Sequence, residues 1–406
     1  MKLSRIAALN IRRNRRRSFL SALAMLVVSA ALVFAFSLIE GMKAEMSRNV
    51  KEWSWGEIKI AHAQFEKNRL LNPLHLNVSD GASLVSRIAA RPETEAATGR
   101  AIFSVMIQKG DRRYQAQGWG VDFAREESYS RLPKYLKVGR LPEAGQRETV
   151  IGAGLAKKLG IGVGDKFTFM TMTKNRGMYG ATLKITGLMD FPVAALNSLA
   201  FVLPLDKAQS FLQLDGAVLE IVAKVKKGND PAVVAGAWNA ELAPLGLSAT
   251  SWTEASAVYY VMSFMTAIFN VIGAMFILLG STVVINTTMM VVFERRTEIG
   301  TLGAMGMRGD ELVRLFFLEA LFIAAIGAIA GTAIGCAVSS FFAREGLDLT
   351  AFMGGIDVEF PTLLYPVLNA SSVLGSLVMT VILSGLASLL PSWSAARIQP
   401  VDALRV

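Results

Sequence analysis

Few residues in this chain are equipped for bond-making chemistry. There is one cysteine, Cys336, and there are two histidines, His62 and His75. A single cysteine closes no internal disulfide, and two histidines 13 positions apart in a polar segment read as surface residues rather than metal ligands. Cys336 stands between Gly335 and Ala337 in an apolar run, which is a packing position. The glycines at 152, 154, 160, 162 and 164 lack the Gly-x-Gly-x-x-Gly spacing, because position 157 is Lys157, and read as turn glycines. No Gly-x4-Gly-Lys-Ser/Thr phosphate loop occurs, and no Ser, His and Asp grouping suggests a nucleophile. The expectation is a chain with no catalytic, cofactor or metal site of its own and no nucleic-acid partner. The most specific segment mixes charge with apolar residues: Glu294, Arg295, Arg296, Glu298, Ile299, Gly300, Leu302, Ala304 and Gly306. Ile299, Leu302 and Ala304 or Met305 fall at helical spacing, and Gly306 can end the helix. Such a short amphipathic helix docks by its apolar side in a groove of a partner protein, or else the segment is a solvated loop at a membrane surface.

The elements that hold this segment are apolar. Hydrophobic residues make up 52% and charged residues 18% of the 406, a balance that excludes an ordinary soluble enzyme and a disordered scaffold. Four uncharged stretches are long enough to cross a ~30 Å hydrocarbon core. They run over 19–39, 255–293, 320–343 and 360–396, the last with its apolar centre at 367–390. The first is longer than the apolar part of a signal peptide and no small-x-small cleavage site follows it, so it reads as a retained anchor despite the preceding Arg16 and Arg17. Basic residues set the orientation. Lys2, Arg5, Arg12, Arg13, Arg15, Arg16 and Arg17 precede the first span, and Arg295, Arg296, Arg308 and Arg314 lie between the second and third. The loop between the third and fourth carries Arg344 against Glu345, Asp348, Asp357 and Glu359. Both termini and the 294–318 loop are therefore expected in the cytoplasm. Leu3, Ile6, Ala7 and Ile11 share a helical face, as an interfacial helix, a positive-inside flank, or both.

The expected organisation is a basic amphipathic segment at 1–17 and spans at 18–40, 258–293, 319–343 and 367–390. A large external domain with stalks occupies 41–257, an external loop 344–366 and a cytoplasmic tail 391–406. Strand patterns at 56–61, 102–108, 113–121, 166–173, 182–188 and 219–225 alternate with helix patterns at 83–90, 154–159, 206–212 and 231–242. That mixture is α+β. Residues 173–182 form the tip of a hairpin. Ser251 and Glu254 have capping-box spacing, and one helix over 252–293 would measure about 63 Å. Gly327, Gly331 and Gly335 make a close-packing face expected to meet the fourth or second span.

The order of one span, a large external domain and three spans resembles the permeases of type VII ABC transporters. So do the motif over Glu294–Gly306, the Leu318-Glu319-Ala320 sequence that opens the third span, and the Ile151-Gly152, Lys157 to Gly160 and Val163-Gly164-Asp165 stretches. The tail from Pro391 to Arg405 completes the resemblance, which covers nearly the whole chain. Its branches serve lipoprotein release, macrolide efflux and cell division. Trp55 to Ile60 and Ser251 to Glu254 resemble the lipoprotein-releasing branch. The resemblance implies that Glu294–Met307 is a coupling helix seated in a separate ATPase subunit, two copies of which bind ATP and Mg. It implies a second permease, identical or paralogous, and an inner-membrane location. It also implies an acylated lipoprotein substrate lifted out of the membrane lipids and passed to a periplasmic carrier. Removing an acyl chain costs ~0.8 kcal/mol per CH2, hence the need for ATP. The implied acyl cavity is lined by Val33, Phe36, Ile39, Met42, Met46, Met262, Phe264, Met265, Ile268 and Phe269, where Met and Phe adapt to varied chains. In that branch a hairpin hooks the carrier; the matching tip here, Lys174, Asn175, Arg176, Gly177, Met178 and Tyr179, is short and lacks proline. The competing expectations are an efflux permease and a transmitter of motion to an external cell-wall hydrolase.

Overall fold

The computed structural model describes residues 2–13, 15–65, 67–68, 73–255, 257–294, 296–348 and 363–396. The chain divides into two compact units. One comprises 1–44, 262–355 and 362–406; the other comprises 45–261 and 356–361.

Among the described residues four helices are long and apolar enough to cross a membrane: Ser18–Trp53, Tyr259–Glu294, Gly309–Glu345 and Ala370–Ser394. Their apolar residues face all round, the pattern of helices immersed in lipid. The third begins at Gly309, ten residues before the expected start of the span, because Asp310 and Glu311 suit a helix N-terminus and Glu311 accepts from the Arg308 N–H at 3.1 Å. Its glycine face meets the first span, not the second or fourth as the spacing suggested. A Cβ at Gly331 would stand 2.2 Å from the Leu26 carbonyl oxygen, and one at Gly327 2.4 Å from that of Ala22. Two backbones this close exclude any side chain between them. Serines tie the first span to the third and the second to the fourth. Ser29 Oγ donates to the Ala328 carbonyl at 3.1 Å, Ser37 Oγ lies 2.8 Å from Ser339 Oγ, and Ser281 Oγ lies 3.2 Å from Ser384 Oγ. The N-terminal helix Lys2–Arg13 buries Ala7 and Asn10 and leaves Ile6 and Leu9 exposed, so only part of its expected apolar face is covered. Asn10 Nδ2 donates to Glu319 Oε2 at 3.4 Å at the head of the third span.

The other unit is α+β, as its mixed patterns suggest. A ten-stranded sheet contains β1 (Ile58–His62), β2 (Thr94–Lys109), β3 (Arg112–Val121), β4 (Leu136–Gly139) and β5 (Glu148–Gly152). It continues with β6 (Lys166–Met172), β7 (Met178–Met189), β8 (Ala200–Pro204), β9 (Glu220–Val225) and β10 (Leu247–Ser251). The spatial order is β10-β1-β9-β2-β3-β8-β5-β7-β4, with β6 bridging β2 and β7. All pairings are antiparallel except β3 with β8 and β5 with β7. Phe103, Phe169, Phe201 and Phe211 centre one core, and Trp238 with Ile58, Ile60 and Ile88 another. The helix expected over 252–293 is described over Trp252–Ala255 and Ala257–Glu294, residue 256 lying outside the described set. Ser251 belongs to β10 and its Oγ lies 2.7 Å from Thr253 Oγ1, so it does not act as the cap its spacing suggested.

A buried ionic cluster holds this unit's connecting segments. The helix Arg15–Asn49 ends in a π-turn, Val50–Ser54. Arg100 on β2 is fully buried; its Nε donates to Glu126 Oε1 at 2.7 Å and its Nη2 to the Glu52 carbonyl at 2.8 Å. Burial works against the guanidinium's charge, but Glu126 beside it holds its pKa above the ordinary value. Ser130 Oγ donates to the other Glu126 oxygen at 2.6 Å. Tyr129 donates to the Lys51 carbonyl at 2.9 Å, and burial keeps its phenol protonated far above the usual range. Lys224 on β9 reaches Glu52 Oε1 at 3.3 Å and donates to the Tyr129 carbonyl at 2.5 Å. Lys51 sits 5.1 Å over the Trp252 ring, and the Trp252 N–H donates to the Glu57 carbonyl at 3.1 Å. Residues 50–57 and 252 are thereby fixed to one corner of the sheet. Replacing Arg100 with Met strands a buried carboxylate and is expected to destabilise the unit by about 3–5 kcal/mol. The double variant Arg100→Met with Glu126→Leu should recover much of that loss in denaturant unfolding of the purified chain.

Candidate functional site

Three sets of residues singled out above can be placed. The first is the 294–306 segment. Its helix runs Arg296–Ala304. Ile299 is 3% exposed and packs with Val291, Val292, Leu312 and Phe316, and Gly300 is buried beside it. Ile299 is thus consumed inside the chain, closing the bend between the second and third spans, whereas Ala304 and Met305 of the expected apolar side are exposed, Met305 to 76%. The exposed surface also carries Glu294, Arg296 and Glu298. Gly306 has φ +96°, a left-handed conformation that glycine adopts without strain, and it turns the chain toward Gly309. Arg295 and the side chain of Leu302 lie outside the described residues, as does the tail over 397–406. A contact that spacing did not suggest completes the surface. Arg13, at the end of the N-terminal helix, places Nη2 2.7 Å from both carboxylate oxygens of Glu298.

The second is the expected acyl cavity. Phe36, Ile39 and Phe269 come together on an open cleft of about 460 Å³. Its far wall is the fourth span, through Ser372, Gly375, Ser376 and Met379, and its rim holds Glu40, Thr266 and Asn270. Val33 is 1% exposed and lines a smaller neighbouring depression with Phe36, Ser37 and Val373. Met262 is buried and Met42 half-buried. Phe264, Met265 and Ile268 lie on the outer face of the second span, away from the cleft lining. Met46 falls in the other unit. The fourth-span wall and the polar rim were missed because uncharged serines and glycines in an apolar run read as packing residues.

The third is the hairpin tip. β6 and β7 pair through Met172 and Met178, and the tip folds back on its own domain. The Lys174 N–H donates to the Leu212 carbonyl at 3.0 Å, Asn175 Nδ2 donates to Gln213 Oε1 at 3.1 Å, and Tyr179 stacks on Phe211 at 5.7 Å. Arg176 takes a left-handed φ of +59° and Gly177 donates to Thr173 Oγ1 at 3.2 Å. Five residues turned this tightly leave a pinned corner with Arg176, Gly177 and Met178 exposed, not a projecting hook.

Sequence comparison places this arrangement. Residues 18–241 match the family described as MacB-like periplasmic core domain, and residues 270–400 match the FtsX-like permease C-terminal family. The chain belongs to the MacB-like and FtsX-like permeases. The permease is 24% identical over 415 residues to the lipoprotein-releasing system transmembrane protein LolC of Xylella fastidiosa, covering 97% of this chain and 96% of that one. It is 22% identical over 418 residues to the corresponding LolE of Haemophilus influenzae, covering 95% and 93%. To the macrolide export ATP-binding/permease protein MacB of a Shewanella species it is 28% identical over 140 residues, 34% of this chain and 19% of that one.

In the permease the Glu298 carboxylate is held outside the hydrophobic bend, so reversing its charge leaves the packing of Ile299 intact. Glu298→Lys is expected to lose the Arg13 contact with a change of at most about 1 kcal/mol in stability, the scale of an exposed ion pair. Thermal unfolding of the variant in detergent, compared with that of Ile299→Asp, checks this; the buried substitution should be the strongly destabilising one.

Proposed function

We propose that this permease works in an ATP-driven complex that extracts acylated lipoproteins from the outer leaflet of the inner membrane and passes them to a periplasmic carrier. The end-to-end likeness to lipoprotein-releasing transmembrane proteins, over 97% and 95% of the chain, is the observation that carries this reading. The cleft of about 460 Å³ beside the first, second and fourth spans supports it, since Phe36, Ile39, Phe269 and Met379 suit acyl chains. Both termini and the 294–306 segment face the cytoplasm in this reading, as the basic residues indicate. Two copies of a separate ATPase subunit hold ATP and Mg and press on the exposed face of the 296–304 helix. The second permease in the complex is another copy or a paralogue.

Because Ile299 is buried within the chain, the ATPase contact is made by the exposed charged residues together with Ala304 and Met305. A displacement there moves Ile299 and with it the ends of the second and third spans. Met25, Val284, Ala320 and Ala324 form one packed cluster, so the shift reaches the first span as well. The efflux alternative is favoured by the MacB-like match over residues 18–241. It requires an adaptor and an outer-membrane duct in place of a carrier. The transmitter alternative is favoured by the ionic anchoring of residues 50–57, which suits relaying motion without moving any substrate.

Depletion of this permease in its own cell, followed by fractionation and mass spectrometry, separates the three. Acylated lipoproteins are expected to accumulate in the inner membrane, and wild-type protein but not Glu294→Lys or Glu298→Lys should reverse this. Unaltered lipoprotein sorting with loss of drug export would favour efflux, and unaltered sorting with a cell-wall defect would favour the transmitter.

A further inference from the structure

The cleft has a polar rim whose chemistry the acyl-chain reading does not use. Glu40 lies on the first long helix, with its Oε1 2.9 Å from Lys43 Nζ and 3.5 Å from Ser372 Oγ. Ser372 occupies the first turn of the helix Ala370–Ala387, whose N-cap Asn369 accepts from the Ser371 N–H at 3.0 Å. Across the cleft Asn270 is exposed and has no hydrogen-bond partner among the described residues. An amide has both donor and acceptor capacity to offer. The depth of the two residues agrees. At 1.5 Å per residue, Glu40 stands about 33 Å from Ser18 and Asn270 about 36 Å from Glu294, just beyond a ~30 Å hydrocarbon core. Phe36 and Met379 lie below, while a carboxylate and a free amide lie at the level where a lipid head begins.

Resting on the lipoprotein reading, we propose that Glu40 and Asn270 form the head subsite of the cleft and bind the peptide end of an acylated cysteine through its N–H donors while the acyl chain lies against Phe36 and Met379. The Glu40 carboxylate, which already engages Lys43, accepts hydrogen bonds and has none to donate to a phosphate, so the subsite selects a donor-rich head over the bulk lipid that would otherwise fill an apolar cleft. Of the two sources of such a head, a peptide amide and an ethanolamine ammonium, the peptide matches Asn270, which both accepts from and donates to a backbone amide.

The test uses the full permease with its ATPase partner in nanodiscs and a fluorescent diacylated cysteine peptide, competed with phosphatidylethanolamine or phosphatidylglycerol of the same chain length. Glu40→Gln and Asn270→Leu keep side-chain size, and complex assembly confirms that they fold. The expected result is peptide binding to wild type, weakened about tenfold in each variant, with phosphatidylglycerol competing poorly throughout. Peptide binding that both variants retain would overturn the head subsite and leave the lipoprotein reading standing. Binding of phosphatidylethanolamine but not peptide, lost in the variants, would overturn the peptide as occupant together with the lipoprotein reading. Absence of either ligand from the wild-type cleft would overturn both.

Discussion

The fully buried pairing of Arg100 with Glu126 is the constraint on which the sheet-bearing unit depends. Two charges withdrawn from water are tolerable when most of their hydrogen bonds are met; here part of the set is met by the segments that connect this unit to the membrane-spanning helices, and Arg100 Nη1 has no partner among the described residues. Arg100 reaches the Glu52 carbonyl, Tyr129 the Lys51 carbonyl, and Lys224 the Glu52 carboxylate. A second buried pair, Lys59 with Glu220 at 3.1 Å, lies on the neighbouring strands β1 and β9. Apolar residues could fill this volume as stably. Ion pairs add direction: they fix residues 50–57 and Trp252 to particular atoms of the sheet, where a greasy contact would let them slide.

The membrane-spanning unit solves a different problem. Lipid gives no hydrophobic drive for helices to associate, so contact must come from close backbones and a few polar pairs. Gly327 and Gly331 let the third span lie directly on the carbonyls of Ala22 and Leu26, and the serine contacts at Ser29, Ser37 and Ser281 are spaced along the helices. At one end of this unit Ile299 closes the bend between the second and third spans, while Arg13 and Glu298 join the N-terminal helix to the same bend. The proposed ATPase contact therefore bears on a surface continuous with three spans.

Much of this was readable from residue order. Alternation predicted β3 and β6 almost to the residue, and the helix pattern over 231–242 matches Pro231–Leu242, because each signal is local. β8, Ala200–Pro204, was missed because it is buried on both faces and shows no alternation. The helix Phe123–Tyr129 was missed because it is short, although the Asp122 carboxylate caps it by accepting from the N–H groups of Ala124 and Arg125. The ionic cluster could not be read at all, since Arg100 and Glu126 look like ordinary surface charges until β2 buries them. Glycine spacing announced a packing face on the third span but pointed to the fourth or second span as its partner, where the fold places the first. For the cleft, Phe36, Ile39 and Phe269 were implied by the family resemblance, but Glu40 and Asn270 become neighbours only through the fold.

In the proposed function, the charged bend, the glycine-packed spans, the apolar cleft and the ion-paired connectors convert a push on one face into work on an acylated cargo. The most direct test is reconstitution of this permease with its ATPase and partner permease in proteoliposomes loaded with a labelled lipoprotein. The account predicts that ATP with a soluble carrier releases the lipoprotein into the supernatant, and that Glu298→Lys abolishes release while leaving the complex assembled. ATP hydrolysis that proceeds with no lipoprotein leaving the vesicles would contradict it.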